Sequence, residues 1–289
     1  MSRFLVTGAT GQVGAELARL LAQHGDVTAL DRRALDLADP DAIRVAVRAA
    51  RPALIVNAGA YTAVDAAERD KDAAFAINGC APGVLAEEAK RLGAILVHYS
   101  TDYVFDGTAS TPYREDDTVA PLSVYGASKL AGERAIAAAG AHALVFRTSW
   151  VYGLTGRNFL LTIRRLAAER EELAIVDDQV GVPNWSRAIA MLTTEVVARG
   201  LPAMAERAGL YHLSATGRTT WCGFARAILG DRARPRVRPI ATHEYPLPAR
   251  RPAFGVLDSS RFAATFGIEL PDWRASLAAC LASAGGPQG

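Results

Sequence analysis

Short apolar runs alternate with longer Ala- and Leu-rich stretches through the first half of the chain. The short runs are continuously apolar, which is typical of parallel strands buried on both faces. The longer stretches carry apolar residues at helical spacing, as at Leu17, Leu20 and Leu21. The predicted strands are Phe4–Thr7, Val27–Leu30, Leu54–Asn57, Ile95–Tyr99 and Ala143–Thr148, and the predicted helices are Gly14–Gln23, Ala42–Ala50, Ala73–Arg91 and Val124–Ala139. This alternation predicts an α/β fold with a doubly wound parallel sheet.

The alternation becomes less regular after Trp150. Helical spacing indicates helices at Phe159–Glu169 and Arg187–Arg199, and prolines between Pro235 and Pro252 favour loops. Further short elements are predicted at Tyr211–Leu213, Trp221–Leu229 and Trp273–Ala282. We predict a main domain of residues 1–150 and a smaller C-terminal lobe of residues 151–289, with one or two lobe segments returning to the main sheet. The tail Gly285–Gly289 is predicted to be disordered.

Composition narrows the classes of protein that fit. Half of the 289 residues are hydrophobic and 21% are charged, as in an ordinary globular protein with a sizeable core. A net charge of +2 with scattered arginines does not favour nucleic acid, and no apolar run has membrane-spanning length. The three cysteines lack metal-ligand spacing and are odd in number, so we expect reduced thiols, a cytoplasmic location and no metal site.

A glycine-rich segment directly follows the first predicted strand. Residues 7–14 are Thr-Gly-Ala-Thr-Gly-Gln-Val-Gly. Glycines let the backbone turn tightly and approach a pyrophosphate, which the free amides of a helix N-terminus stabilise. The motif alone is weak, since it also suits a plain turn, but its place in an N-terminal βαβ unit favours a Rossmann-type dinucleotide site. The predicted contacts are Gly8, Thr10, Gly11, Gln12, Val13 and Gly14.

The end of the second strand bears on the choice of dinucleotide. Asp31 lies where a carboxylate can accept hydrogen bonds from the adenosine ribose hydroxyls, which favours NADH. Arg32 and Arg33 follow directly and can pair with the extra phosphate of NADPH. The sequence therefore leaves both NADH and NADPH open. Further cofactor contacts are predicted after the second and third strands, at Asp36, Leu37, Gly59 and Ala60.

Tyr125 and Lys129 lie four residues apart in a predicted helix, so both project from one face. Such a pair is common by chance, but here the preceding strand ends in Ser100-Thr101-Asp102, which brings hydroxyls to the carboxyl edge of the sheet. Reduction of a ketone needs a proton donor, a second hydrogen bond to the oxygen and a cation that stabilises phenolate. We predict Tyr125, Thr101 and Lys129 in these roles, with Lys129 lowering the phenol pKa from about 10.

Several longer segments together resemble one family, the dTDP-4-dehydrorhamnose reductases among the extended short-chain dehydrogenases/reductases. The segments are Gly8–Gly14, Asn57–Asp65, Ser100–Gly107, Val124–Glu133, Phe146–Tyr152, Asp177–Gln179, Tyr211–Leu213, Pro248–Pro252 and Leu270–Trp273. They span almost the whole chain in family order, so the set is far more specific than any single motif.

The resemblance implies NAD(P)H-dependent reduction of the C4 ketone of dTDP-4-dehydro-L-rhamnose to dTDP-L-rhamnose, the last step of dTDP-L-rhamnose synthesis. It implies cofactor contacts at Gly11, Gln12, Val13, Asp31, Asp36, Leu37, Gly59, Ala60, Tyr61, Tyr125 and Lys129. It implies substrate contacts at Val64, Thr101, Asp102, Tyr103, Phe105, Tyr125 and Trp150. By their charge, Arg250 and Arg251 can bind the pyrophosphate of the substrate, although a solvated loop explains them equally well.

The chain departs from the family pattern in two places. Family members often have Asn-Ser where this chain has Phe254-Gly255, which leaves the contacts of the nucleotide lobe open. Some members hold magnesium at a dimer contact through glutamates, and Glu16 fits one such position. Arg187 stands at the other and would repel the metal, so we expect neither this ion nor that form of dimer. A monomer and a homodimer both stay open.

Two alternative functions remain. A nucleotide-sugar epimerase shares the glycine turn and the Tyr/Lys pair but would retain NAD without net consumption. A related dehydratase needs a second acid after the catalytic threonine, where this chain has Tyr103 after Asp102. A non-catalytic regulatory subunit, like that of methionine adenosyltransferase, has no physical need for Thr101, Tyr125 and Lys129 together, so the complete set favours an enzyme.

Overall fold

The structure, a computed structural model, describes residues 1–230 and 234–284. Strands and helices alternate through the first half, which confirms the predicted α/β class. The elements are β1 Arg3–Thr7, α1 Gln12–Leu21, β2 Asp26–Leu30, α2 Pro40–Ala50, β3 Leu54–Asn57, α3 Val64–Ala67, α4 Lys71–Phe75, α5 Ala81–Leu92, β4 Ile95–Thr101, α6 Val124–Ala139 and β5 Ala143–Thr148. A π-helical turn, Ala76–Cys80, joins α4 to α5, so the long predicted helix is present but locally distorted.

The second half has shorter and more irregular elements. They are β6 Val151–Tyr152, α7 Phe159–Glu169, β7 Glu172–Val176, β8 Val180–Gly181, β9 Asn184–Trp185, α8 Ser186–Ala198, α9 Leu201–Glu206, β10 Gly209–His212, β11 Thr219–Thr220, α10 Trp221–Leu229, β12 Arg236–Ile240, α11 Ser260–Phe266 and α12 Trp273–Ser283. The tail Gly285–Gly289, predicted to be disordered, lies outside the described residues.

The prediction of loops from Pro235 onward is wrong at its beginning. Strand β12 pairs in parallel with β7 in a two-stranded sheet, and Pro239 lies opposite Ile175. A proline lacks the N–H that a central strand must donate, but a strand with only one neighbour can accommodate it. The proline pattern alone could not separate an edge strand from a loop.

The main sheet has six parallel strands in the order β10-β5-β4-β3-β1-β2. The chain passes from β1 outward to β2 and returns to the other side of β1 at β3. The direction of winding therefore reverses between β1 and β3, and a crevice opens at the carboxyl ends of these strands. Strand β10 comes from the second half of the chain and pairs with β5.

Both faces of this sheet are covered. Along β1, Phe4 and Val6 pack in a core with α1 and α8, whereas Leu5 packs on the opposite face with Ile43 and Leu85. This two-sided burial is the reason why the strands are continuously apolar. Complete burial of one such side chain stabilises the fold by about 1.5–3 kcal/mol.

The second half of the chain has a separate aromatic core. The ring of Phe224 lies 5.1 Å from that of Tyr152 and 6.1 Å from that of Trp273, measured between centroids. All three side chains are buried. Within the described ranges, no helix combines the length and apolar character needed to cross a bilayer.

Candidate active site

The glycine turn between β1 and α1 packs directly on the loop after β3. Gly8 has φ +66°, and a Cβ atom placed on it would lie 2.5 Å from the backbone nitrogen of Gly59. Helix α1 begins after Gly11 without a side-chain cap, so its first amides are free to bind an anion. Gly14 is buried against the Gly8 carbonyl and shapes the turn from within.

A cleft of about 460 Å³ runs from this turn to helix α6. Most residues predicted to bind the cofactor line it: Gly8, Thr10, Gly11, Gln12, Val13, Arg32, Asp36, Leu37, Gly59, Ala60, Tyr61, Tyr125 and Lys129. Asp31 does not line this cleft. Its Oδ1 accepts hydrogen bonds from the backbone amides of Arg33 and Ala34, both at 2.9 Å, and so stabilises the loop after β2.

Thr101 and Tyr125 come together where β4 ends and α6 begins. Thr101 is buried; its hydroxyl donates to Asp102 Oδ1 at 3.1 Å and accepts from the Tyr103 amide at 3.2 Å. Ser123 caps α6 by accepting from the Gly126 amide, which starts the helix so that Tyr125 lies at the cleft wall. Burial raises the pKa of Tyr125 to about 12, and the Thr101 hydroxyl limits the rise. The phenol therefore stays protonated near neutral pH.

Lys129 is almost fully buried one turn further along α6. Its Nζ donates to the Tyr99 carbonyl at 2.5 Å and lies 3.2 Å from His98 Nε2. Burial lowers the pKa of Lys129 to about 8, and the charge of Glu133 opposes this shift. Burial therefore dominates the Tyr125 pKa, and the predicted effect of Lys129, whose Nζ is held by β4, does not bring that pKa below its ordinary value.

Asn78 is a residue of this site that the sequence patterns did not indicate. Its Oδ1 accepts from the Tyr61 amide at 2.8 Å, and its Nδ2 donates to the Tyr61 carbonyl and to Ser128 Oγ, both at 3.0 Å. Ser128 Oγ in turn donates to the Tyr125 carbonyl. Asn78 lies in the π-helical turn, a distortion frequent at functional sites. It ties the cofactor-side loop to the helix that carries Tyr125 and Lys129.

A buried ion pair supports the same helix from behind. Glu133 Oε2 accepts from Arg147 Nη2 at 2.7 Å, and both side chains are at most 9% exposed. Glu133 Oε1 accepts from Ser100 Oγ at 2.5 Å. Ser100 lines the cleft, so the pair connects α6 and β5 to the cleft wall. Glu133 and Arg147 belong to segments noted above, but only the fold shows that they meet.

Asp102 and Tyr103 lie beside Tyr125 just after β4, and neither lines the cleft. Asp102 is 1% exposed, and burial raises its pKa to about 7. Its Oδ2 has no hydrogen-bond partner among the described residues and faces Gly255, where a Cβ would lie 2.5 Å away. The departure at Gly255 thus leaves room for this carboxyl. The Tyr103 ring packs edge-on against Tyr125, with centroids 5.5 Å apart.

The two arginines predicted to bind pyrophosphate differ in their surroundings. Arg251 donates to Asp65 through two nitrogens, at 2.7 and 3.1 Å, next to Val64 at the start of α3. Arg250 is exposed. Both line a second cavity of about 800 Å³ in the C-terminal lobe, which aromatic residues such as Phe159 and Trp221 border.

Two aromatic residues assigned to the substrate pack on other rings and line neither cavity. Phe105 is fully buried and stacks on Tyr113, with centroids 4.1 Å apart, so the structure does not bring it to the cleft. Trp150 has φ +42° and stacks on Trp221 at 3.6 Å. Trp221 lines the larger cavity, and Trp150 packs on its ring. Residue type alone could not distinguish such packing from ligand contact.

The residues expected at the magnesium position do not fit a divalent cation. Glu16 Oε1 accepts from Arg187 Nε at 3.0 Å, and Arg19 Nη2 lies 3.1 Å from Glu16 Oε2. Magnesium requires free oxygen ligands, whereas this carboxylate is paired with two guanidinium groups. Over residues 1–230 and 234–284, no group of three or more His, Cys, Asp or Glu side chains could hold a metal.

A doubly wound parallel sheet, a glycine turn at its crevice and a Tyr-x-x-x-Lys helix in the same cleft define a Rossmann-type protein of the extended short-chain dehydrogenase/reductase class. Residues 2–285 match the family described as RmlD substrate binding domain. The chain is 52% identical over 294 residues to the dTDP-4-dehydrorhamnose reductase of Burkholderia thailandensis, covering 96% of this chain and 98% of the relative. It is 44% identical over 282 residues to that of Escherichia coli, covering 93% and 94%.

A solved structure agrees with these relatives. The crystal structure of dTDP-4-dehydrorhamnose reductase from Bacillus anthracis in complex with NADP superposes with a TM-score of 0.92 at 33% identity, covering 98% of this chain and 99% of that one. The chain belongs to the dTDP-4-dehydrorhamnose reductase family, which confirms the resemblance found in the sequence.

Proposed function

We propose that this chain catalyses the NAD(P)H-dependent reduction of the C4 ketone of dTDP-4-dehydro-L-rhamnose to dTDP-L-rhamnose. One observation carries the proposal: Tyr125 and Lys129 line the same cleft as the glycine turn. A proton donor and a cation therefore lie beside the place where a dinucleotide fits. The identity to dTDP-4-dehydrorhamnose reductases over nearly the whole chain supports the choice of substrate.

The cleft fits a nicotinamide dinucleotide, NADPH or NADH. The close approach of Gly8 to Gly59 leaves backbone surface where a side chain would block a pyrophosphate, and the first amides of α1 are free. Arg32 lines the cleft and can pair with a 2′-phosphate, in agreement with the NADP complex of the relative from Bacillus anthracis. When bound, the reduced cofactor supplies the hydride. Glu16 and Arg187 do not fit magnesium, and no step depends on a metal.

Three side chains of the protein handle the ketone oxygen. Tyr125 donates a hydrogen bond to it, and so does Thr101 once its hydroxyl turns from Asp102 toward the oxygen; these bonds strengthen as negative charge develops there. Tyr125 then transfers its proton to that oxygen, since its raised pKa keeps it protonated until the more basic alkoxide forms. Lys129, one turn along α6, supplies the positive charge that stabilises the remaining phenolate.

The substrate extends from this point toward the C-terminal lobe. We assign its nucleotide to the cavity of about 800 Å³, where Trp221 and Phe159 offer aromatic faces to a base and Arg250 and Arg251 offer charge to the pyrophosphate. We assign the sugar to Val64, Asp102 and Tyr103 beside Tyr125, with Phe105 and Trp150 acting as supports. In this division, residues 1–150 bind the dinucleotide and residues 151–289 mainly bind the substrate.

We further propose that the enzyme works in the cytoplasm, as a monomer or a homodimer. The cysteines Cys80, Cys222 and Cys280 are free thiols, as in proteins of a reducing compartment. Light scattering on the purified protein measures the oligomeric state directly.

The test is an assay with purified protein and dTDP-4-dehydro-L-rhamnose, following the loss of nicotinamide absorbance with NADH and NADPH in turn. We expect stoichiometric conversion to dTDP-L-rhamnose, identified by mass spectrometry. Tightly bound NAD without net cofactor consumption would instead identify an epimerase. A stable partner protein together with no oxidation of either cofactor would identify a regulatory subunit.

A further inference from the structure

A row of buried polar side chains crosses the main sheet behind the dinucleotide cleft. Thr7, Asn57 and His98 are register partners on the adjacent strands β1, β3 and β4. Thr7 Oγ1 donates to Asn57 Oδ1 at 2.7 Å, and Asn57 Nδ2 lies 3.0 Å from His98 Nδ1. Each of the three residues is 1% exposed. The row, here called the polar ladder, ends at Lys129, whose Nζ lies 3.2 Å from His98 Nε2.

The polar ladder is unusual in a core that is otherwise apolar, so its presence calls for a physical reason. The preceding row of the same strands is Val6, Val56 and Val97, and all three are fully buried. Apolar residues therefore fit these strands, whereas buried polar groups cost free energy unless every donor and acceptor is matched. The ladder is matched along its length and meets a charged group only at Lys129.

Among the residues that the structure describes, none provides an anion bound directly to Lys129. From β4, His98 and the Tyr99 carbonyl face Lys129. From α6, Tyr125 and Glu133 face it, and Arg147 of β5 lies behind Glu133. Arg147 pairs with Glu133. Burial and the charge of Lys129 lower the pKa of His98 well below its ordinary value, so the imidazole is neutral. Since burial also lowers the pKa of Lys129 to about 8, both of its charge states occur near working pH.

A neutral imidazole has one donor and one acceptor nitrogen, so the direction of hydrogen bonding along the ladder depends on Lys129. When the Asn57 amide donates to His98 Nδ1, the proton lies on Nε2 and the lysine must accept it as a neutral amine. An ammonium group has only donors, so it requires a lone pair on Nε2 and a proton on Nδ1. The Asn57 amide is then turned over, and the Thr7 hydroxyl accepts from it. Because a hydroxyl can donate or accept, the contact between Thr7 and Asn57 is kept in both arrangements.

We propose that the polar ladder of Thr7, Asn57 and His98 positions Lys129 and reverses its hydrogen-bond direction with the charge of that lysine. Lys129 thus has a matched partner both as an ammonium and as an amine. His98 is a positioning residue here, since it acts through Lys129 and not on the substrate. The importance of the ladder for catalysis rests on the proposed function, whereas its effect on Lys129 does not.

The chain is well suited to a direct measurement, because Lys71, Lys90 and Lys129 are its three lysines. The full-length, ligand-free protein labelled with 13C at lysine Cε is titrated by NMR, and the Lys129 signal is assigned as the one lost in Lys129→Arg. The exposed Lys71 and Lys90 serve as internal references. In His98→Leu the buried ammonium loses an acceptor, so we expect the Lys129 pKa to fall by about one pH unit or more. An unchanged value overturns the proposal.

Thr7→Val tests the reversal of direction at the far end of the ladder. Valine has nearly the shape of threonine but can neither donate nor accept. An unpaired amide N–H costs more than an under-satisfied carbonyl, so Asn57 Oδ1 will face the introduced isopropyl group and Nδ2 will face His98. This orientation favours the neutral amine, and we expect the Lys129 pKa to fall by about half a pH unit. No shift in Thr7→Val would overturn the reversal, even if His98→Leu acts as expected.

Two controls separate this role from a general effect on the core. His98→Gln keeps an acceptor near the position of Nε2, so the Lys129 pKa should stay within about 0.3 units of the wild type. His212→Leu removes another buried imidazole from β10 of the same sheet and should not move the Lys129 signal. If His98→Leu fails to fold, Thr7→Val and His98→Gln still decide the question.

Turnover separates this proposal from the function itself. In the active enzyme, the basic limb of the kcat/KM profile in His98→Leu should move to lower pH by the same amount as the Lys129 signal. Absence of cofactor oxidation in the wild type would refute the proposed function while the NMR titrations still test the ladder. The basic limb can also stay in place while the Lys129 pKa measured by NMR shifts. That result would show that the ladder determines the Lys129 pKa but does not control the reaction.

Discussion

Burial controls the proton affinities of the side chains around the cleft. It raises the pKa of Tyr125 to about 12 and that of Asp102 to about 7, and it lowers the pKa of Lys129 to about 8. Near neutral pH this leaves a protonated phenol beside a lysine and a carboxyl group that both titrate close to the working range. The burial of individual side chains therefore determines which of them can donate or accept a proton in the site.

Tyr125→Phe removes the proton donor and leaves the pyrophosphate site intact. We expect kcat to fall by about 10²- to 10⁴-fold, the usual contribution of a general acid, with little change in cofactor affinity. Steady-state turnover and fluorescence titration with NADPH measure the two quantities. Tyr152→Phe is the matched control, since it removes a buried phenol hydroxyl from the C-terminal lobe. Retention of near-normal kcat in Tyr125→Phe would exclude this residue as the acid.

Asp31 is expected to influence the choice of cofactor through its charge. Asp31→Asn removes repulsion of a 2′-phosphate but keeps an oxygen for the amides of Arg33 and Ala34. We expect the NADPH/NADH ratio of kcat/KM to rise by on the order of tenfold, about 1.4 kcal/mol. Asp31→Ala should shift the ratio in the same direction but also loosen the loop. An unchanged ratio in both variants would contradict this role.

Asp102 makes stability depend on pH. Its pKa is about 7 in the folded protein and near 3.9 when unfolded, so between these values the folded state binds more protons. Its contribution therefore destabilises the fold as pH rises from about 4 to about 7, by at most about 4 kcal/mol. We expect Asp102→Asn to lose less stability than the wild type between pH 5 and pH 8. Urea unfolding at the two pH values measures this, and equal losses would refute it.

Sequence reasoning found the residues whose chemical type and spacing are distinctive. Tyr125 and Lys129 form a local helical pattern, and Thr101 follows a recognisable strand. Asn78 and His98 could not be found in this way, because each is a single polar residue whose partners lie on other strands or helices. Their roles depend on contacts between residues far apart in the chain, which no local pattern contains.

At the scale of elements, the turn between β1 and α1 shows how a loop conformation makes a binding surface. Gly8 and Gly93 both have a positive φ, +66° and +64°. A Cβ on Gly8 would overlap the backbone of Gly59, whereas one on Gly93 would meet nothing within 4 Å. The backbone conformation is the same at both glycines, but only Gly8 must also lack a side chain because of a close neighbour.

Gly8→Ala is expected to abolish measurable cofactor binding, because the turn must move away from the β3 loop. Gly93→Ala shares the conformational strain, roughly 1 kcal/mol, and should lower Tm without changing cofactor affinity. Calorimetric titration with NADPH and thermal unfolding compare the two variants. Equal affinities in Gly8→Ala and the wild type would contradict the close packing of this turn.

The strands and helices themselves differ in how far the sequence predicts them. The strands of the main sheet are continuously apolar because both faces are buried, so their pattern is strong. Within the described part of the chain, β7 and β12 pair only with each other, and β12 contains Pro239, so neither shows such a pattern. The π-helical turn Ala76–Cys80 has no compositional sign within an Ala-rich helix.

At the scale of the whole molecule, the two halves of the chain share one framework. Strand β10 extends the main sheet, and α8 packs against α1 on its face. The pair between Glu16 on α1 and Arg187 on α8 lies in this contact. An ion pair within the chain therefore occupies the position at which the resemblance would place a metal.

Magnesium should have no effect on this protein. We expect about 5 mM magnesium or EDTA to leave Tm and kcat unchanged, since Glu16 is already paired. Arg187→Glu places two carboxylates together, so its Tm should fall without metal and recover with magnesium. Thermal scans with and without the ion test both statements. A magnesium-dependent Tm in the wild type would refute them.

The sequence by itself determined the α/β class, the dinucleotide turn, the Tyr/Lys helix and the family, because each is recorded in local order and spacing. Only the tertiary structure decided which side chains face the cleft. It packed Phe105 on Tyr113 and Trp150 on Trp221, and it placed Lys129 next to His98. It also showed the row from Thr7 to His98 across the sheet. These features arise from pairing between distant segments and from burial, and both exist only when the chain is folded.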